Sequence, residues 1–154
     1  NDGIYVAPKL VRAVVGPDGA QTSAPDAPSR RVVSEQAASQ TAAMMQRVVC
    51  EGTAKRAQVD NLPIAGKTGT AFKAAPNGTY YNEQGQRIYY ASFVGFFPAD
   101  DPQVTVLVSV DEPPAGTNNR FGGTAAAPVF AALAPTLIHE LGIQPAPGST
   151  GCQE

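Results

Sequence analysis

Between positions 64 and 71 the chain reads Ile-Ala-Gly-Lys-Thr-Gly-Thr-Ala, which sets one cation, two hydroxyls and two glycines in an apolar-led stretch. Ile64 and Ala65 favour a strand. Lys67 supplies a positive charge, Thr68 and Thr70 supply hydroxyls, and Gly66 and Gly69 let another backbone approach closely, as glycines do where a strand borders a site. The segment therefore has the makings of one edge of a binding cleft. The same letters also fit a plain exposed strand with a solvated lysine and β-favouring threonines.

The elements that must position this segment are legible in outline. Upstream, Leu10 to Val15 and Arg31 to Val33 are short β-branched runs about a Pro17-Asp18-Gly19 turn and a Ser/Pro-rich loop, which predicts a hairpin-like excursion. Ser34 suits a helix N-cap with Glu35 in the first turn; Ala37, Thr41, Met44 and Val48 recur at helical spacing until Gly52 stops the helix, and the methionines there are expected as core filler. Downstream lie a polar loop with aromatic residues, a strand over 91–97, a Pro98-to-Pro102 turn, and a strand over 104–110 with Val104, Val106, Val108 and Val110 in alternation. Three strands joined by reversals predict an antiparallel meander, and the apolar third strand predicts cover on both faces. Thr124 is expected to cap a final helix striped by Val129, Phe130, Leu133, Leu137, Ile138 and Leu141, ended by Gly142 and kinked or broken at Pro135. His139 fits a helix-end residue better than a catalytic base.

Composition narrows the function classes. A 154-residue chain with a net charge of −2 and 43% apolar residues reads as ordinary globular protein, with no polybasic surface for nucleic acid or membrane. No apolar run approaches the roughly 20 residues of a membrane-spanning helix. One histidine and no clustered ligands argue against a metal, and nothing calls for a cofactor. Prolines and glycines gather at 16–28, 112–123 and 145–151, as joints and a tail. Cys50 and Cys152 leave two readings open: a disulfide, or a buried thiol at a helix end with a free thiol in a mobile tail.

Lys67-Thr68-Gly69-Thr70 resembles the third motif of the penicillin-recognising serine acyltransferases. The resemblance runs along most of the chain, through Asn1-Asp2-Gly3-Ile4-Tyr5-Val6, Val49, Thr53-Ala54-Lys55, Ala91-Ser92-Phe93-Val94-Gly95, Phe97-Pro98-Ala99-Asp100-Asp101-Pro102 and Arg120-Phe121-Gly122-Gly123-Thr124-Ala125-Ala126-Ala127-Pro128-Val129-Phe130. It is similar to the C-terminal half of class B penicillin-binding proteins, nearest the division-specific peptidoglycan D,D-transpeptidases. Only the tail after Ile143 falls outside it, so the expected organisation is a transpeptidase portion over 1–142 and a Pro/Gly-rich tail over 143–154.

The resemblance implies an α/β fold of the α+β type, the penicilloyl-serine transferase fold, in which an antiparallel sheet is backed by helices and the Lys-Thr-Gly strand forms the outer edge along the cleft. It implies catalytic roles for Lys67, which would keep the cleft electropositive and aid proton transfer, and for Thr70, whose N–H would be one of two oxyanion donors. Thr68, Gly69 and Thr70 would line the substrate site, with the threonine hydroxyls holding the carboxylate of a terminal D-alanine or a β-lactam; Tyr89 and Phe121 would complete the wall. Phe72 departs from the pattern, since the family usually has a polar or basic residue there. The nucleophilic serine with a lysine three positions on is absent from the chain, and so is Ser-x-Asn; Tyr80-Tyr81-Asn82 matches a variant in letters but on the wrong side of the motif.

The expected function is thus peptidoglycan cross-linking through a serine acyl-enzyme, inhibited by β-lactams. Its expected partners are an N-terminal part of the same protein carrying the nucleophile and two further strands, the stem peptide, and other division or wall-synthesis proteins. The expected location is the extracytoplasmic membrane face, held by an N-terminal anchor outside this sequence. A D,D-carboxypeptidase or β-lactamase-like hydrolase and a non-catalytic penicillin-binding sensor or scaffold are the rival readings.

Overall fold

A computed structural model describes residues 1–25, 28–115, 117–145 and 148–152. It divides into two compact units, Asn1–Thr41 and Ala42–Glu154.

In the first unit, β1 (Ile4–Val6) pairs antiparallel with β4 (Ser29–Arg31), and β2 (Ala13–Val15) with β3 (Gln21–Ser23). The predicted hairpin is present, but its two β-branched runs are not each other's partners. Val15 pairs with Gln21 and Ile4 with Arg31, because the turn at 16–20 closes too tightly to reach the second run. Gly19 there has φ +79°, and the Asp18 carboxylate accepts from the Ala20 N–H at 3.0 Å. The long helix α1 (Glu35–Cys50) then begins where Ser34 Oγ accepts the Ala37 N–H at 3.1 Å, the expected cap.

The face that α1 buries is offset by one residue from the expected stripe. Of that stripe Val48 packs against the core, but Ala37, Thr41 and Met44 are exposed, Met44 by 62%, while Ala38, Ala42 and Met45 are half-buried and Val49 is buried in the core. Both sets have helical spacing, so periodicity alone could not choose between them. Met44 is accordingly not core filler.

In the second unit, β5 (Ala65–Phe72), β6 (Tyr89–Phe97) and β7 (Val104–Asp111) form an antiparallel meander in the order β5-β6-β7, as the sequence predicts. The connection between β5 and β6 folds on itself: Lys73 N–H bonds the Ile88 carbonyl at 3.0 Å, and Asn77 and Asn82 each organise a tight turn by accepting backbone N–H bonds. Helices α2 (Gly122–Ala125) and α3 (Ala127–Leu141) cover one face of the sheet. Phe130 stands edge-on to Phe93 at 4.9 Å and to Phe97 at 5.8 Å, and all three rings are buried. The cross-strand pair Gly66–Gly95 makes room for them, since a Cβ at Gly66 would lie 2.4 Å from the Phe93 ring and one at Gly95 3.0 Å from the Phe130 ring.

Four expectations are corrected here. The helical segment starts at Gly122 rather than behind a Thr124 cap; Thr124 lies within α2 and its hydroxyl donates back to the Asn118 carbonyl at 2.6 Å. The helical discontinuity falls at Ala126, and α3 runs through Pro135 unbroken to Gly142, which caps it with φ 63°. Its buried stripe is Ala127, Phe130 and Ala134 with Leu137 and Ile138 packed alongside, while Val129, Leu133 and Leu141 stay exposed. Finally, β7 is packed on one face only: Val104, Val106, Val108 and Val110 meet the helices, and Leu107 on the other face is 66% exposed.

Chain beyond α3 is tied to this core. Ile143 is buried and its N–H bonds the Ile138 carbonyl, Ser149 Oγ donates to the Asp100 carboxylate, and Cys152 is joined to Cys50 with Cα atoms 5.2 Å apart. Of the expected tail, residues 146, 147, 153 and 154 lie outside the described residues.

Candidate active-site edge

The register of β5 decides what its residues present. Thr68 pairs with Phe93 and Thr70 with Ala91, both core-facing, so the two threonines share the helix-covered face; Lys67 pairs with Val94 and points to the other, open face. Because Lys73 N–H bonds across to Ile88, positions 71, 69 and 67 also turn their backbone groups toward β6, and Thr68 and Thr70 turn theirs outward. Among the described residues no strand pairs with that outer edge. The Thr70 N–H is thus available to an incoming acceptor without any ladder bond being broken.

Each side chain is held in place. Lys67 Nζ donates to the Thr68 carbonyl at 2.9 Å, which draws the ammonium to the outer rim of the strand. Thr68 Oγ1 and Thr53 Oγ1 lie 2.8 Å apart, and Thr70 Oγ1 accepts the Gly122 N–H at 3.1 Å. A hydroxyl that accepts keeps its own proton to give, so Thr70 remains a donor toward a ligand. The glycines have an internal reason as well as any external one. A Cβ on Gly69 would sit 2.5 Å from Ser92 Oγ, and one on Gly122 would sit 2.2 Å from the Ser92 carbonyl and 2.5 Å from that of Gly69. The start of α2 therefore seats directly on the strand pair at Gly69, and that seat carries the Gly122 N–H to Thr70.

Beyond Thr70 the same face continues as an aromatic wall. Phe72 meets Tyr89 at 5.4 Å and Tyr80 at 6.1 Å, and Tyr89 meets Phe121 at 6.1 Å, mostly edge-on. Tyr89 and Phe121 thus stand together beside the threonines. Phe72, the departure from the family pattern, is the hub of this wall, and Arg87 lies over its ring at 4.5 Å. Arg120 lies over Tyr89 at 5.5 Å and Phe121 at 5.1 Å. Sequence reading missed Thr53, Arg87 and Arg120. Thr53 and Arg120 belong to segments that carry the resemblance, but only the fold shows that they reach the edge.

At the end of the strand, Lys73 Nζ lies 2.7 Å from the Asp111 carboxylate and 2.9 Å from that of Glu112, spanning from β5 to β7. The hydrogen bond to Asp111, then that to Glu112, raises the Lys73 pKa above the usual lysine value. Both acids are thereby engaged away from the wall. His139 lies 3.3 Å from Glu140 near the end of α3, on an element that does not carry the edge residues. Among the described residues no group of acids, cysteines and histidine could hold a metal ion.

Comparison with known proteins matches this architecture. The family model for the penicillin-binding protein transpeptidase domain matches residues 1–134. Over 96% of its length the chain is 34% identical to penicillin-binding protein PbpB of Mycolicibacterium smegmatis, and over 94% it is 36% identical to stage V sporulation protein D of Bacillus subtilis. Over 82% it is 34% identical to the peptidoglycan D,D-transpeptidase FtsI of Escherichia coli K12. These alignments cover 24%, 22% and 21% of the respective proteins, so the chain spans about a quarter of the length of its curated relatives. The crystal structure of penicillin-binding protein 3 from Mycobacterium tuberculosis in complex with aztreonam superimposes with a TM-score of 0.77 at 31% identity, covering 100% of this chain and 35% of that one. With the Lys-Thr-Gly strand at a free edge and helices behind it, in register with those relatives along nearly all its residues, the chain belongs to the penicillin-binding protein transpeptidase domain family.

Proposed function

We propose that this chain forms one wall of the active site of a serine-type peptidoglycan D,D-transpeptidase that is acylated by β-lactams. The observation that carries the reading is the free outer edge of β5, where the Thr70 N–H points outward, the Thr70 hydroxyl keeps a proton to donate and the Lys67 ammonium is drawn to the rim. The attacking serine and its lysine partner come from polypeptide outside this sequence. Attack on the penultimate D-alanine carbonyl makes a tetrahedral oxyanion, and the Thr70 N–H is one of its two donors. Collapse expels the terminal D-alanine, and the amine of a neighbouring stem peptide then takes the acyl group. Lys67 keeps the rim electropositive and assists proton transfer, while Thr68 and Thr70 receive the carboxylate with Tyr89 and Phe121 alongside.

Replacing Lys67 by alanine in the complete protein tests this. Acylation by a labelled penicillin is expected to slow by about 10²-fold or more, as for loss of one charge-stabilising group, with thermal stability within about 0.5 kcal/mol because an exposed side chain is removed. An unchanged acylation rate removes Lys67 from the mechanism.

The duty we assign is septal wall synthesis, with the complete protein anchored at the extracytoplasmic face of the cell membrane. The 34% identity to FtsI of Escherichia coli over 82% of the chain supports it. A fluorescent fusion of the complete protein is expected at the division site, and labelling confined to the lateral wall overturns the assignment.

A further inference from the structure

A cavity of about 290 Å³ lies at the far end of the aromatic wall, lined by Gln86, Arg87, Tyr89 and Arg120. Its two guanidiniums are held against rings, Arg87 over Phe72 and Tyr81, Arg120 over Tyr89 and Phe121. A guanidinium stacked this way keeps in-plane N–H groups for an acceptor. Neither arginine forms an ion pair among the described residues, and the nearby acids Asp111 and Glu112 are engaged by Lys73. Arg120 Nε is buried with no hydrogen-bond partner among the described residues. A buried donor of a permanent cation left without an acceptor is costly, and Arg120 lines the cavity. Two preorganised, unneutralised forks in one cavity match a planar, twofold acceptor.

We propose that Arg87 and Arg120 form a carboxylate subsite, which selects acyl donors bearing a second carboxylate on the part of the ligand remote from the group received at Lys67, Thr68 and Thr70. This deepens the transpeptidase reading and rests on it. The carboxylate has two sources, a side chain of the stem peptide or the acyl side chain of an antibiotic, and the chemistry at the arginines is the same.

The test uses the complete protein and two matched pairs: carbenicillin against benzylpenicillin, which differ by one carboxylate, and a stem-peptide donor with its internal carboxylate free or amidated. Acylation efficiency is measured for each member, and the ratio within a pair is the readout. Substituting Arg87→Gln or Arg120→Gln is expected to lower the carboxylate-to-neutral ratio about tenfold in at least one pair, with Arg87→Lys and Arg120→Lys recovering part of it. In the unsubstituted protein the same ratio is expected to fall as salt rises from 0.05 to about 0.5 M, a measurement that needs no variant to fold. The pair that responds identifies the source. Ratios that move with neither substitution nor salt overturn the subsite while leaving acyl transfer standing. Absence of acylation by every member overturns the transpeptidase reading and this subsite with it.

Discussion

Thr70 presents two separable groups on one residue. Its N–H leaves the outer edge of β5, whereas its hydroxyl accepts the Gly122 N–H and still holds a proton to donate. Thr70→Val in the complete protein keeps the N–H and removes only the hydroxyl. The expected result is a roughly tenfold rise in the penicillin concentration needed for half-maximal acylation rate, with a smaller change in the limiting rate. Stability should fall by about 1 kcal/mol, because the part-buried Gly122 N–H loses its acceptor. Thr70→Ser should recover both effects. Equal acylation parameters for the valine and serine variants would remove the hydroxyl from ligand recognition.

At the scale of elements, the edge strand is held by what lies at its ends. Lys73 bridges β5 to the acids at the end of β7, and the start of α2 rests on Gly69. The segment leading into β5 is pinned from behind by the chain end, where Gly151 lies against Leu62 and Cys152 is bonded to Cys50 across 102 residues of sequence. Closing so long a loop restricts the unfolded chain, so Cys152→Ser is expected to cost about 2–4 kcal/mol in thermal or denaturant unfolding. Intact-mass analysis of unreduced, alkylated protein checks the bond itself, and two alkylated thiols would show it absent.

For the molecule as a whole, the surfaces left open are as informative as the core. Val94 and Leu107 lie on the uncovered face of the sheet beside Lys67, and α3 turns Val129, Leu133 and Leu141 outward. An apolar sheet face next to a free strand edge invites association. The N-terminal polypeptide that we propose to supply the serine–lysine pair is the expected cover. Incubated with fluorescent penicillin, the 154-residue chain alone should form no covalent adduct and should self-associate, while co-refolding with the upstream polypeptide should yield label on that polypeptide. Stable covalent label on this chain alone would overturn the placement of the nucleophile.

Much of this was legible from residue order. The period-two run of valines at 104–110, the turn at 98–102 and the glycine-bearing stretch at 64–71 specify an antiparallel meander because alternation and turn chemistry are local properties. The Ser34 cap and the Gly142 stop are local in the same sense, and the third-motif letters with the matches around them pointed to the family. Choices between near-degenerate local patterns were not legible. Which of two adjacent stripes α1 buries, whether Pro135 breaks a helix, and which apolar residues of α3 face the core depend on what packs against each surface. The site divides along the same line. Its central residues, Lys67, Thr68 and Thr70, are named by the sequence, but register alone puts the lysine on one face and the threonines on the other. Thr53, Gly122 and the arginines at 87 and 120 come to that edge from segments 15 to 52 residues distant. Only tertiary packing, chiefly the seating of α2 on Gly69 and the folding of the 73–88 loop over Phe72, decides that they meet there.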